Sequence, residues 1–252
     1  MYFKQMDSFL YICYMVSKNK IKLYRSLDTK KGREKANLFI AEGPKVVNDL
    51  LQAGFEAEEI FEDIEDIKKI TFLQHPQSML GVFKLKQVPN LQEDVFTFFP
   101  SQKLSLALDG VQDPGNLGTI IRIADWFGIE NIYCSPNTVD CWNPKVVQAT
   151  MGSIARVNIH YTSLLEFVDS LPLNYPIYAT LLDGNNIYQQ DLTEYGVIVM
   201  GNEGNGISTE LRQKINHKLY IPNYPADRSS AESLNVAIAT AIVCAEFRRL
   251  QH

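Results

Sequence analysis

Apolar and polar positions along this chain follow two alternating periods. From residue 104 onward, short apolar runs bounded by turn residues are interleaved with stretches of helical spacing. Leu104–Val111, Ile129–Cys134, Ala155–His160, Ile177–Leu182, Val197–Met200 and Leu219–Ile221 are apolar and short enough to predict strands. Asn116–Phe127, Lys145–Gly152 and Leu164–Leu171 predict helices. A last helix is expected near the C-terminus, where Leu234, Ala237, Ile238, Ala241, Ile242 and Ala245 recur at helical spacing as one wide apolar face. Strands and helices alternating at this spacing predict an α/β domain, with a parallel sheet covered on both faces.

The first third of the chain is patterned more loosely. Lys18–Lys31 predicts a helix, Leu38–Gly43 a strand and turn, and Pro44–Ala53 a helix opened by proline and closed by Gly54. Glu59–Phe61, Ile70–Leu73 and Leu80–Leu85 predict further short elements. Val88–Lys103 has two prolines, a polar centre and no helical period, so it predicts a linker. The expected organisation is an extension over 1–14, a small α/β unit over 15–98 and the parallel-sheet domain over 99–252, the two domains each with its own core. Residues 1–14 lack the clean apolar core and small-residue cleavage site of a signal peptide, and are expected to be dispensable.

Three stretches of the larger domain carry candidate chemistry. The predicted strand Val197–Met200 runs into Gly201-Asn202-Glu203-Gly204-Asn205-Gly206, where three glycines let the backbone turn sharply and approach a ligand. Tyr220-Ile221-Pro222 leads into an irregular loop and then Ser229-x-x-Glu232, a capping-box pattern that puts Ser233, Leu234 and Asn235 in the first turn of the last helix. Upstream, Asp113-Pro114-Gly115 is a turn signal, Asn116 a suitable N-cap, and Arg122 and Asp125 are the polar positions of an otherwise apolar helix.

These stretches, with their order, closely resemble the three motifs of the SpoU (TrmH-like) branch of the SPOUT RNA methyltransferases. The first motif has an Asn and an Arg six residues apart, matched by Asn116 and Arg122; GNEGNGIS and IP…ESLNVAIA resemble the second and third. Gly152-Ser153 after Ala149 resembles a further family element, and FIAEGPKVVNDLLQAG resembles the N-terminal RNA-binding domain of many members. The link from Ile221 to Ser233 is longer than usual by about four residues and lacks the customary Gly. The resemblance implies a deep trefoil knot, a homodimer, a cytoplasmic enzyme and transfer of a methyl group from S-adenosylmethionine to a ribose 2′-hydroxyl of rRNA or tRNA. It implies Thr180, Leu181, Leu182, Gly201, Gly206, Ile221 and Leu234 around the cofactor, and Arg122, Asn116, Glu203, Ser233 and Asn235 as the catalytic set. Removing a proton from a guanidinium at pH 7 costs roughly 7–9 kcal/mol. Arg122 therefore reads as a fork for an RNA phosphate and the developing oxyanion, not as a base, with Glu203 fixing Arg122 or the first-motif backbone.

Composition sets limits on this reading. At 252 residues, 46% apolar and 21% charged, the chain is ordinary for a globular protein, and no apolar run approaches a membrane span. Cys13, Cys134, Cys141 and Cys244 form no CxxC pair, so neither metal nor disulfide is expected. A net charge of −5 argues against RNA until its distribution is seen. Met15–Lys45 holds nine Lys/Arg against three acids, which nominates Lys18, Lys20, Lys22, Arg25, Lys30, Lys31 and Arg33, with Tyr24 interleaved, as contacts to structured RNA. The acidic run Glu56–Asp66 is expected to face away from it. A dinucleotide oxidoreductase is disfavoured, because the glycines read GxxGxG late in the chain and not GxGxxG after a first strand. A catalytically silent RNA-binding or ribosome-assembly protein is the alternative, separable by its failure to bind S-adenosylmethionine.

Overall fold

The computed structural model describes residues 16–86, 103–225 and 233–249. The extension over 1–14, most of the linker and the Ser229–Glu232 capping pattern lie outside the described residues.

The N-terminal unit opens with two helices where one was expected. Ser17 caps α1 (Lys18–Ser26) by accepting from the Lys20 amide, and Thr29 caps α2 (Lys30–Ala36) by accepting from the Gly32 amide. The second cap sits inside the expected helix and restarts it at a new angle. The helices approach so closely that a Cβ on Gly32 would lie 1.9 Å from the Ser26 carbonyl oxygen. Then follow β1 (Leu38–Glu42), α3 (Pro44–Gln52), β2 (Ala57–Phe61), α4 (Ile64–Ile70) and β3 (Leu80–Lys84). The strands form an antiparallel sheet in the order β1-β3-β2. The acidic run ends in the first turn of helix α4. Asp63 caps it and Glu65 and Asp66 fill its first turn, where negative charge suits the helix dipole. The run also lies against α1: Glu59 accepts from Lys20 and from the Tyr24 hydroxyl. Burial and the Glu59 carboxylate together push the Tyr24 hydroxyl well above its usual range.

The second unit is a six-stranded parallel sheet in the order β6-β5-β4-β8-β7-β9. Its strands are β4 (Leu104–Asp109), β5 (Asn131–Cys134), β6 (Asn158–Tyr161), β7 (Ile177–Asn186), β8 (Gly196–Gly201) and β9 (His217–Tyr220). Helices α5 (Pro114–Trp126), α6 (Pro144–Ala149), α7 (Leu164–Asp169), α8 (Thr209–Arg212) and α9 (Val236–Arg249) complete it. Leu106, Leu108, Ile198 and Met200 pack in one cluster with α5, α6 and α9, while Ala107, Val197 and Val199 pack in another with α7 and α8. Two covered faces explain the near-continuous apolar strands. The chain winds outward from β4 through β5 to β6, then crosses to the other side of β4 as β7 and fills the place between β7 and β4 with β8. Ligands bind beyond the carboxyl ends of strands at such a switch point.

The N-terminal unit has a core of its own around Tyr24, Leu27, Ile40, Ile67 and Val82, and it also shares the core of the second unit. Phe39, Val46, Val47, Leu50 and Phe83 of the first join the main cluster of the second, with Trp142 packed against Phe39 at a ring separation of 4.4 Å. Arg33, read from the sequence as an RNA contact, is instead 2% exposed. Its Nε and Nη2 donate to Asp140 Oδ2 at 3.0 and 2.5 Å, and its Nη1 donates to the carbonyls of Leu27 and Asp28. With four of its five N–H donors engaged and the side chain buried, this guanidinium is not presented to a phosphate. A second joint is ionic. Arg156 donates to Asp125 on α5 at 2.8–3.1 Å and to Asp49 on α3 at 3.1 Å, and Lys45 donates to Asp49 and to the Met151 carbonyl. Gly152, at φ +97°, is required here, because a Cβ would meet the Asp49 carboxylate at 2.1 Å.

Candidate active site

The three sequence stretches meet at the carboxyl edge of β4 and β8, whose last residues, Asp109 and Gly201, are register partners. After β4 the chain turns through Gly110, at φ +76°, into α5. Asp113 and not Asn116 is the N-cap: its Oδ1 accepts from the Asn116 amide at 2.8 Å. That releases the Asn116 side chain for a longer-range role.

After β8 the glycine loop closes on itself. Asn202 and Gly206 exchange two backbone hydrogen bonds of 2.9 Å each. The Asn202 Oδ1 accepts from the amides of Gly204 and Asn205, and its Nδ2 donates to the Gly110 carbonyl at 2.7 Å. Sequence reading had passed over Asn202, although an Asn before Glu-Gly is a known side-chain turn former. Gly201 is indispensable to the fold-back, since a Cβ would sit 2.4 Å from the Gly206 carbonyl carbon. The Asp109 carboxylate accepts from the Ser208 amide and anchors the far end of the loop.

The last helix begins one residue after Asn235, not before Ser233. Asn235 Oδ1 accepts from the amides of Ala237 and Ile238 at 3.0 and 3.3 Å, so Asn235 is itself the cap. Its Nδ2 donates to Asn116 Oδ1 at 2.9 Å, and Asn116 Nδ2 donates to Glu203 Oε1 at 2.8 Å. One polar chain thereby links all three stretches, and each amide has a single orientation that satisfies it. Of the two partners expected for Glu203, Arg122 or the first-motif turn, it holds the first-motif turn through the Asn116 side chain and, among the described residues, makes no bond to Arg122. Arg122 is exposed and, among the described residues, makes no hydrogen bond or ion pair. Ser233 is exposed and likewise forms none.

Beside this chain, β8, β7 and β9 are neighbours, so their ends bring Gly201, Thr180–Leu182 and Ile221 to one edge. The register of β7 against β9 slips between Thr180 and Asn185, and a Cβ on Gly184 would meet the Leu219 backbone at 2.5 Å. Thr180 and Leu181 are half-buried, as is Ile221, while Leu182 is 78% and Leu234 49% exposed. Gly206 holds φ +69°. This edge offers backbone amides and carbonyls among apolar side chains. Among the described residues no three His, Cys, Asp or Glu are grouped to hold a metal, and no helix is long and apolar enough to cross a membrane. Cys134, Cys141 and Cys244 are free and buried, which pushes the Cys244 thiol up to about 12.

The nominated RNA contacts divide. Lys18, Lys22, Arg25 and Lys31 are exposed on α1 and α2; Lys30 lies 3.9 Å from Glu34, Lys20 is paired with Glu59, Arg33 is buried, and so is Tyr24. The apolar face expected on α9 is turned partly outward. Val236, Ala237, Thr240, Val243, Cys244 and Phe247 are buried, while Ile238 is 53% exposed and Leu234 and Ala245 are also exposed.

Residues 18–69 match a family model described as the MRM3-like substrate binding domain, and residues 103–245 match one described as the SpoU rRNA Methylase family. The chain is 32% identical over 252 aligned positions to the Bacillus subtilis protein named 23S rRNA (guanosine(2553)-2'-O)-methyltransferase RlmP, with 91% of this chain and 96% of that protein covered. Among solved structures, a TrmH-family protein from Porphyromonas gingivalis is 37% identical with a TM-score of 0.80, covering 94% of this chain and 99% of that one. An AdoMet-bound rRNA methyltransferase from Sinorhizobium meliloti is 30% identical with a TM-score of 0.83, covering 93% and 96%. With its three motif stretches joined at one sheet edge and more than half its length matching a single family model, this chain belongs to the SpoU rRNA methylase family.

Proposed function

We propose that this protein transfers a methyl group from S-adenosylmethionine to a ribose 2′-hydroxyl of ribosomal RNA. The observation that carries the reading is the chain Asn235–Asn116–Glu203, which joins the three motif stretches beside a backbone-lined, partly apolar edge. That edge suits the cofactor: Gly201, Gly206 and Ile221 offer close backbone, and Leu182 and Leu234 offer uncovered apolar surface to an adenine. Bound there, the cofactor supplies an electrophilic methyl on a sulfonium. Thr180–Leu182 and Leu234 hold it and keep water from its apolar side. Asn116, oriented by Glu203 and Asn235, holds the first-motif turn and the ribose in register. Arg122, with no partner of its own among the described residues, grips an adjacent phosphate and stabilises the 2′-oxyanion as its proton leaves to water. Because the reaction is an in-line displacement, alignment by these residues supplies much of the rate. Lys18, Lys22, Arg25, Lys30 and Lys31 make the more distant phosphate contacts. We place the reaction in the cytoplasm, and the trefoil knot implied by the family in the second and third motif stretches.

Calorimetry and transfer of labelled methyl to in vitro transcribed 23S rRNA test the reading. Stoichiometric cofactor binding and a label resistant to alkaline hydrolysis at one ribose are expected. Failure to bind S-adenosylmethionine would leave an RNA-binding protein without chemistry.

We further propose a homodimer packed through the outward stripe Leu234, Ile238, Ala241, Ile242 and Ala245. These recur at helical spacing on α9 and are mostly uncovered. Ile238→Glu is expected to convert a dimer into a monomer in sedimentation velocity. An unchanged sedimentation coefficient for that variant would place the subunit contact elsewhere.

A further inference from the structure

A buried turn outside the three motif stretches is bonded to the middle of the site. It runs from Ser135 to Val139, after β5, and its two hydroxyl residues are almost fully covered, Ser135 at 6% and Thr138 at 5% exposure. Ser135 Oγ accepts from the Gly110 amide at 2.8 Å, and Thr138 Oγ1 donates to the Leu108 carbonyl at 3.1 Å. The two hydroxyl oxygens lie 3.1 Å apart. With the Thr138 proton committed to Leu108, Ser135 donates to Thr138 and keeps a lone pair for Gly110.

Gly110 is gripped at both of its polar groups. Its amide is held by Ser135, and its carbonyl accepts from Asn202 Nδ2 at 2.7 Å. Holding both groups of one residue fixes its φ and ψ, here at a left-handed φ of +76°. A Cβ at this position would meet Asn137 Nδ2 at 2.9 Å, so the turn packs directly on Gly110. The turn is itself secured. The Val139 amide donates to the Val111 carbonyl at 2.9 Å, and Asp140, the next residue, accepts from Arg33 of the N-terminal unit.

We infer that Ser135, supported by Thr138, is a positioning residue for methyl transfer, acting through Gly110 and Asn202 on the glycine loop. This rests on the RNA methyltransferase reading above. Asn202 Oδ1 accepts from the Gly204 and Asn205 amides, so the side chain that holds the Gly110 carbonyl also sets the path of the loop. Glu203, the next residue, orients Asn116. Loss of the Ser135 hydroxyl would leave the Gly110 amide buried without its acceptor. The peptide would then turn toward another partner, and the bond from Asn202 would be lost with it. Both hydroxyls are buried, so their effect on the substrate is indirect.

The test uses the full chain with 23S rRNA transcribed in vitro, in single turnover well below the melting temperature. Ser135→Ala is expected to lower the methyl-transfer rate about 10- to 100-fold, the cost of misplacing a reacting group by about 1 Å. RNA affinity should remain parental, because the basic residues of α1 and α2 are untouched. Thr138→Val should show a smaller loss of rate, and Thr138→Ser, which keeps the hydroxyl, should recover it. Combined with Asn202→Ala, Ser135→Ala should cost less than the product of the two separate losses, since both act on Gly110. Amide exchange followed by NMR reads the link without chemistry: Ser135→Ala should speed exchange at Gly204 and Asn205 by about fivefold or more. A folded Ser135→Ala protein with the parental rate overturns the proposal, as do multiplicative losses in the double variant or unchanged exchange at Gly204 and Asn205. Should Ser135→Ala not fold, Thr138→Val against Thr138→Ser decides the matter by the same rates and exchange. Failure of the underlying reading shows separately, as a parent protein that binds no S-adenosylmethionine and labels no RNA.

Discussion

Arg122→Lys is expected to lose methyl transfer almost as completely as Arg122→Ala, by about 10²–10³-fold in single-turnover rate, the usual cost of losing one group that stabilises an oxyanion. The two roles open to this residue predict opposite results. A lysine ammonium gives up its proton about two pKa units or more below a guanidinium, so a general base at this position should tolerate lysine and gain from it as pH rises. A planar two-donor grip on phosphate cannot be reproduced by a point charge. The site favours the second role, because Glu203, the nearest motif carboxylate in the sequence pattern, is committed to Asn116. No acceptor among the described residues stands ready to take or relay a proton from Arg122. S-adenosylmethionine binding should be nearly unchanged in both variants, since the residues proposed to hold it lie on β7, β8, the segment after β9 and the approach to α9. Single-turnover rates from pH 6 to 10 with calorimetry as the control decide the matter. Substantial Arg122→Lys activity that climbs with pH would defeat the phosphate-fork role.

The second large effect is on stability. Asp140→Ala should destabilise the protein by about 3–5 kcal/mol, because it strands the Arg33 guanidinium in a buried site with its main counter-charge gone. For a chain of this size that corresponds to a melting temperature lower by roughly 6–20 °C, at 2–4 °C per kcal/mol. Replacing both partners with apolar residues, Arg33→Met with Asp140→Leu, should recover most of the loss, since the penalty lies in the unpaired charge and not in the missing pair. Cut from the rest, the N-terminal unit would expose Phe39 and Phe83 and leave Arg33 without Asp140, so its RNA binding is to be measured in the joined protein. A wild-type-like melting curve for Asp140→Ala would show that water reaches Arg33 and that the junction contributes little.

The exposed basic residues of α1 and α2 acquire a structural meaning from this junction. Lys18, Lys22, Arg25 and Lys31 are exposed and, among the described residues, form no ion pair, while Arg33 and Tyr24, from the same charged segment, are spent on packing. Charge counting treats all of them alike. A side chain's use depends on which side of its helix meets the neighbouring unit, and the split of one expected helix into two at Thr29 set that.

What the sequence determined by itself was local. Apolar runs, turn residues and helical spacing located the strands of the parallel sheet and most of its helices, because strand and helix periods are properties of adjacent residues. The glycine pattern located the loop after β8, because only glycine fits where a Cβ at Gly201 would strike the returning backbone. The order of three motif stretches pointed to the family. The tertiary structure decided what depends on partners distant in the chain. It took the cap of α5 from Asn116 and assigned it to Asp113, which freed Asn116 to join Asn235 and Glu203 across separations of 119 and 87 residues. It turned the α9 stripe containing Ile238 outward and buried the adjacent one containing Val243 and Phe247, a choice between two apolar faces that periodicity alone leaves open. It buried Arg33 because Asp140, 107 residues away, lies where the two sheets' helices and loops meet. Hydrogen bonds and ion pairs of that kind carry no signature in neighbouring residues, since their geometry exists only once the sheet has brought the segments together.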